Sequence, residues 1–436
     1  MSLVTGPIPL PLPRERECPF GPAPEVDALR RRSPVVKVTC PTGIEAWLVT
    51  RYDDVRQVLS DSQRFSSRTG ALGHMVFTMP PDAPVEEGNL NRMDGADHLR
   101  FRRVIAPAIT TVKRTELFRP QIQRIVDELL DELATETGPV DLHEKFSLPL
   151  GATVIAELLD IPREDRVLFL QLAKTLLARD AGAEELEAAQ APLFQYLYGL
   201  VTRRSQDPGD DVISVIAAKA RNAEGAFSDL ELMTIVSGLL VGGYDTTASL
   251  ITYGTLALLE NPDQFAALRR SPELAPSAVE ELVRLVGSGA GMLRVATVDT
   301  EIAGSPIAAG DYVVVAVQSA NHDPERFPKA DRLDIARPRS PHVGFGHGPH
   351  QCPGQQVVRL ELSAVLTTLP QRIPSLRLAV PFEEIPFKEN HAVLGPAKLP
   401  VTWDEVLGAD RVTVGSRDRL ENPPDLLPDG DGVAER

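Results

Sequence analysis

Apolar positions along this chain recur mostly with a helical period, and the exceptions are short and local. The stretch Tyr52 to Ser60 spaces its apolar residues for one helix face, and from His98 to Ala220 the same period dominates. Within that region Leu117, Phe118, Ile122, Ile125, Val126, Leu129, Leu130 and Leu133 predict one apolar stripe. Asp160-Ile161-Pro162 and Asp207-Pro208-Gly209 separate successive helices. Ser228 followed by Glu231 has capping-box spacing and predicts the start of a long helix through Thr247 towards Leu259, ended by Asn261-Pro262. Period-two alternation is confined to Glu45–Thr50 and to Val298–Val317, where Ala303-Gly304-Ser305 and Ala309-Gly310-Asp311 supply turns. Residues 322–350 follow neither period; a long irregular stretch inside a compact domain is usually functional. The pattern predicts a mainly α fold with small β-sheets.

Composition narrows the function classes. The chain has 436 residues and a net charge of −16, with no Lys/Arg-rich block, which argues against a nucleic-acid partner. Its best apolar run, Met233 to Val241, is broken by Thr234, Ser237 and Gly238 and is too short to span a bilayer, so no membrane association is expected. Met1 to Phe20 offers prolines and charges where a signal peptide needs an apolar segment, and a cytoplasmic location is expected. Cys18, Cys40 and Cys352 are too few and too widely spaced for a disulfide framework; Cys18 and Cys40 are expected to be inert. Residues 1–25 read as a Pro-rich extended arm, and residues 404–436, acidic with Pro and Gly, as a disordered tail.

The segment Phe345-Gly346-His347-Gly348-Pro349-His350-Gln351-Cys352-Pro353-Gly354 presents one cysteine on a glycine-flanked loop just before an apolar helix. Glycine permits positive φ and close approach to a flat group, and the N-terminus of the following helix favours an anionic sulfur. A second reading of the same stretch is zinc, since His342, His347, His350 and Cys352 are four possible ligands. Structural zinc sites usually draw on two separated pairs, and no second Cys/His pair occurs.

Other motifs gain meaning beside this loop. Glu281 and Arg284 stand one helical turn apart and can pair, with Arg294 and Arg337 further on. His98 and Arg102 put two cationic donors on one helix face, suited to an anionic group lying alongside. Gly242-Gly243-Tyr244-Asp245-Thr246-Thr247 lies mid-helix, where paired glycines and threonines cost stability. Glycines there leave room for a flat group, and a threonine hydroxyl can bond a preceding carbonyl.

Together these segments resemble the cytochrome P450 family, soluble bacterial type, whose loop pattern Phe-Gly-x-Gly-x-His-x-Cys-x-Gly is matched at every fixed position from Phe345 to Gly354. The resemblance runs over about residues 40 to 403 and implies one P450 haem-thiolate domain at 26–403, with haem b between the long central helix and the cysteine loop. It implies Cys352 as iron ligand, with Gly243, Phe345 and Gly346 against the haem. His98, Arg102, Arg294 and His350 would hold the propionates. Glu281, Arg284 and Arg337 would lock the loop, and Asp245 and Thr246 would guide protons to bound oxygen. A thiolate ligand favours O–O cleavage. Leu239, Tyr244, Met292, Leu293 and Val393 are expected in the substrate pocket, along with residues 72–93, the helices near 165–200 and the loop near His391 to Leu394. One departure matters physically: Pro353 follows the cysteine and has no N–H to donate to the sulfur.

The implied activity is a monooxygenase acting on a small molecule, a secondary metabolite, with electrons from a separate ferredoxin and ferredoxin reductase; a monomer is expected. Arg100, Arg103 and Arg359 are candidate docking charges for an acidic ferredoxin. An oxidative coupling enzyme shares every motif. A peroxygenase and a non-catalytic haem sensor are disfavoured, since neither needs the Asp245-Thr246 pair.

Overall fold

The computed structural model describes residues 7–12, 20–70, 89–111, 115–177, 183–221, 227–287, 289, 291–388 and 391–409. Strands β1 (Ile8–Pro9), β2 (Val35–Thr39), β3 (Glu45–Val49), β4 (Phe65–Ser66), β5 (Val140–Asp141), β6 (Met292–Ala296), β7 (Thr300–Ile302), β8 (Ser305–Ile307), β9 (Tyr312–Val315), β10 (Arg377–Leu378) and β11 (Pro400–Thr402) are short. Most of them join one six-stranded sheet, ordered β1-β2-β3-β9-β6-β4. A three-stranded sheet (β10-β11-β5) and the β7–β8 hairpin complete the β content among the described residues. The hairpin turns through Ala303 (φ 48°) and Gly304 (φ 79°), the pair of positive φ values that a two-residue turn matched to strand twist requires.

Helices form the rest: α1 (Pro24–Arg32), α2 (Tyr52–Ser60), α3 (Gly95–Ile109), α4 (Arg119–Leu133), α5 (Leu148–Leu158), α6 (Arg166–Leu177), α7 (Ala183–Gln206), α8 (Val212–Arg221), α9 (Asp229–Leu259), α10 (Pro262–Arg270), α11 (Ala275–Val286), α12 (Val317–Asn321) and α13 (Gln355–Arg372). The 31-residue α9 begins with the predicted capping box: the Ser228 hydroxyl accepts from Glu231 N–H at 3.1 Å and Glu231 Oε2 accepts from Ser228 N–H at 2.8 Å. It packs against α5, α7 and α11 and runs through the main apolar core. Residues 322–347 contain no regular element, as the missing period predicts.

One expectation fails locally. Leu117 is exposed (57%), because α4 begins only at Arg119 and Leu117 precedes it; the buried stripe starts at Ile122. Cys18, residues 1–6 and 13–19 of the proline arm, residues 72–88 of the expected substrate region and residues 410–436 of the expected tail lie outside the described residues. Cys40 is buried, and burial pushes its thiol up to about 11, which suits an inert side chain.

Candidate functional site

The cysteine loop is shaped by its own backbone. Gly346 adopts φ +74° and Cys352 N–H donates to Phe345 O at 2.8 Å, closing the loop on itself. Gly348, at φ +70°, approaches α2 so closely that a Cβ there would sit 2.5 Å from Leu59 O. Cys352 is thereby placed just before α13 on the wall of a cavity of about 700 Å³, across from Gly242 and Thr246 of α9. Burial pushes its thiol up, while the amides of Gly354 and Gln355 and the charges of Arg102 and Arg359 act to lower it. The proline leaves the next two amides to face the sulfur.

Most of the cavity wall is apolar, from Val154, Ile155 and Leu158 of α5 to Leu239 and Leu250 of α9, with Met292, Phe345 and Val357 on the cysteine side. Nitrogen-bearing side chains gather at one edge, where His98, Arg102 and His350 line the cavity and Arg294 lies buried behind them. His98 and Arg102 project from α3, Arg294 from β6, and His350 from the loop. The His98 and His350 rings lie 4.1 Å apart, and His350 Nε2 is 3.2 Å from Asp94 Oδ1 and 3.1 Å from Ser67 Oγ. Asp94 also accepts from Ser66 Oγ at 2.6 Å and Ser67 N–H at 2.9 Å, so its charge is shared. Burial, then the positive neighbours His350, Arg102 and Arg294, depress His98 to about 4. The buried Arg294 guanidinium donates to the Leu293 carbonyl at 2.8 Å, and burial pushes both Arg102 and Arg294 below their ordinary values.

A buried cluster of like charge is costly unless anions meet it. A flat apolar body carrying two carboxylates at one edge, with a metal facing Cys352, fits this cavity. Gly242 leaves room for such a body, since a Cβ built on it has no heavy atom within 4 Å. No cluster of three metal-ligating side chains occurs among the described residues, and His342 and His347 turn to Glu280 and Arg56, which removes the zinc reading there.

The family model described as Cytochrome P450 matches residues 152–399, more than half of the chain. The chain belongs to the cytochrome P450 family. It is 42% identical over 396 residues (90% of this chain, 96% of the relative) to Cytochrome P450-SU2 of Streptomyces griseolus. It is 41% identical over 397 residues (89% and 98%) to Nocardicin C N-oxygenase of Nocardia uniformis subsp. tsuyamanensis. The crystal structure of CYP105N1 from Streptomyces coelicolor superposes with a TM-score of 0.84 at 38% identity, covering 92% of this chain and all of that one. This P450 is therefore an oxidoreductase, a monooxygenase carrying haem b, with the mainly helical fold of its relatives. No helix among its described residues is long and apolar enough to cross a membrane.

Several residues of the P450 sit differently from expectation. Asp245 does not line the cavity: its Oδ1 accepts from Lys388 Nζ at 2.8 Å and from Ser249 Oγ at 3.2 Å, and Lys388 also donates to Ser249 Oγ at 2.7 Å. Thr246 does line it, its hydroxyl donating to Gly242 O at 2.5 Å. Gly243 borders the cavity, but its missing Cβ points at Ile155 Cδ1, 3.0 Å away; Gly242 is the glycine with open space. Of the substrate candidates, Leu239 and Met292 line the cavity and Tyr244, Leu293 and Val393 do not. Leu293 follows Met292 on a strand, so it points to the opposite face, against Leu48 and Val314. Tyr244 lies two residues from Gly242, on the far side of the helix, buried where Gly151 lets α5 come close to its carbonyl. Val393 pairs as an isolated β-bridge with Gly289.

The expected docking arginines also change character. Arg100 makes a bidentate pair with Glu231 at 2.7 and 3.3 Å, and Arg359 pairs with Glu280 at 2.6 and 3.1 Å; Arg103 is exposed. Glu281 receives Arg284 through both oxygens (2.8 and 2.9 Å) and Arg337 at 2.8 Å, while Arg284 also donates to the carbonyls of Asn321, at the end of α12, and Ala330, in the irregular stretch. Asp94, Lys388 and Glu280 were not foreseen from sequence, whereas of the two glycines expected to leave room for a flat group Gly242 is the one with open space. Asp94 had a signal, four residues before His98 at the helix start; Lys388 had none.

Proposed function

We propose that Cys352 is the axial ligand of the haem iron and that His98, Arg102, Arg294 and His350 receive its two propionates. The observation that carries this reading is the group of His98, Arg102 and His350 on the wall of the cavity that Cys352 lines, with the buried Arg294 guanidinium close behind them. Phe345 borders the cavity beside the cysteine, and Gly346 sets the loop's turn. Residues 26–403 would form this haem domain, between an arm and a tail.

When bound, the haem supplies activation of dioxygen by two electrons delivered one at a time. The protein's residues contribute position and protons. The Thr246 hydroxyl gives its own proton to Gly242 O and presents its oxygen as an acceptor on the cavity wall; Asp245, anchored by Lys388 behind the helix, would relay protons towards it. The apolar wall excludes water and orients a largely apolar substrate. Relatives named for nocardicin C and mycinamicin IV oxidation support a secondary metabolite as that substrate. Electrons come from a separate ferredoxin and its reductase, with the exposed Arg103 on the docking face.

The test is Thr246→Ala in a reconstituted system with ferredoxin, reductase and a ligand found by Soret-shift screening of natural products. Ligand affinity is expected to change less than about twofold, while product per NADPH falls severalfold and peroxide accumulates, since general acid–base steps contribute 10²–10⁴-fold. Unchanged coupling would remove Thr246 from proton delivery.

A further inference from the structure

Glu280 and Glu281 are neighbours on α11 that serve different ends of the chain. Glu281 faces the irregular stretch through Arg284 and Arg337. Glu280 faces the cysteine loop. Its Oε1 accepts from Arg359 Nε at 2.6 Å, and its Oε2 accepts from Arg359 Nη2 at 3.1 Å and lies 3.1 Å from His342 Nε2. His342 Nδ1 accepts from Gly344 N–H at 3.1 Å, so the ring proton is on Nε2 and points at Glu280. The two partners flank Cys352: His342 precedes the loop, and Arg359 stands on the first turns of α13.

Arg359 then touches the loop itself. Its guanidinium lies 4.6 Å from the centre of the Phe345 ring, and the Phe345 carbonyl is the one that accepts from Cys352 N–H. The same guanidinium is close enough for its charge to act on the Cys352 sulfur. Glu280 thus holds both shoulders of the loop and partly neutralises a cation beside the thiolate.

We propose that Glu280, acting through Arg359 and His342, is a positioning residue that clamps the cysteine loop and sets the electrostatic potential at the Cys352 sulfur. This rests on Cys352 being the iron ligand. Hydrogen bonds and charges around a ligating sulfur are established levers on a metal's reduction potential. The sign follows from charge alone. Removing the Glu280 anion leaves Arg359 uncompensated, which favours the more negative, reduced site. Removing the Arg359 cation does the reverse. A loop that was merely loosened would move the potential the same way in both variants.

The experiment is potentiometric titration of the haem-loaded, substrate-free protein and of Glu280→Gln, Arg359→Gln and the double variant, with the reduced carbon monoxide spectrum checking ligation. The expected result is a potential raised in Glu280→Gln, lowered in Arg359→Gln and intermediate in the double variant, all with the red-shifted thiolate band. Shifts of the same sign, or no shift with that band intact, overturn the proposal. If either variant loses the band, Glu280→Asp and Arg359→Lys, which keep the charges, should restore it and the parent potential; failure to do so also overturns the proposal. Survival of the band in Cys352→Ala would instead sink the ligand assignment, an outcome distinct from these.

Discussion

The two sides of the cavity are built on opposite principles. On the cysteine side the backbone is over-determined: Gly346 and Gly348 hold positive φ, Cys352 N–H is bonded within the loop, and the adjacent carboxylates Glu280 and Glu281 tie down the flanking segments through arginines. On the α9 side the wall is left unfinished. Gly242 offers no side chain, and the buried hydroxyls of Ser237 and Thr247 have no hydrogen-bond partner among the described residues. A ligand that must present one atom reproducibly needs rigid support. A wall that must accept a flat cofactor, a gas and a substrate needs free volume and polar groups in reserve. The difference explains why one side is dense in ion pairs and the other in small and apolar residues.

The comparison breaks most visibly at Arg284. It is fully buried against Glu281, and removing one partner of a buried pair costs about 3–5 kcal/mol; here Glu281 keeps only Arg337, and the Asn321 and Ala330 carbonyls lose their donor. Arg284→Ala is therefore expected to lower the unfolding free energy by that amount and to release haem, measured by chemical denaturation and haem content. Stability within about 1 kcal/mol of the parent would show that the cysteine side is not over-determined.

The glycine pair sharpens the contrast within one helix. Gly242→Val should fill the space a flat group needs and cut haem incorporation severalfold while the apoprotein keeps its helix content. Gly243→Ala meets Ile155 Cδ1 at 3.0 Å, the end of a flexible side chain, and its packing cost is offset by the better helix propensity of alanine. Its stability should change by about 1 kcal/mol or less, with haem content unaffected. Equal loss of haem in both variants would erase the distinction between the two glycines.

The edge of the cavity gives a pH-dependent effect, and its sign can be worked out. His98 titrates near 4 in the folded chain against 6.5 ordinarily, so the unfolded chain binds more protons between those values. The stability gained from holding His98 neutral is complete above pH 6.5 and is lost as pH falls to 4. Thermal melts of the haem-free protein should show that decline, and His98→Gln should flatten it. An unchanged slope would mean that neither burial nor the neighbouring positive charges hold His98 neutral.

Much of the cysteine side was legible in the sequence because its constraints are local: glycines, a proline and a cysteine at fixed spacing describe a backbone shape, and Glu281 and Arg284 share one helical turn. The long helix was legible too, since Ser228 and Glu231 mark its start and Asn261-Pro262 its end. Partners distant in sequence were not. Lys388 meets Asp245 across 143 positions, and nothing near either residue announces it. Arg100 and Arg359 look like free surface charges until Glu231 and Glu280 are brought beside them. The misplacement of Leu293 was avoidable, because adjacent residues on a strand cannot both face one cavity.

The central claim is that Cys352 supplies the thiolate on which the rest of the site is organised. The most direct measurement is the spectrum of the reduced carbon monoxide complex of the parent protein and of Cys352→Ala at equal haem loading. The parent should show the strongly red-shifted Soret band of thiolate ligation, and the variant should lose it completely. A band that survives the substitution, or a parent protein that never shows it, would contradict the account.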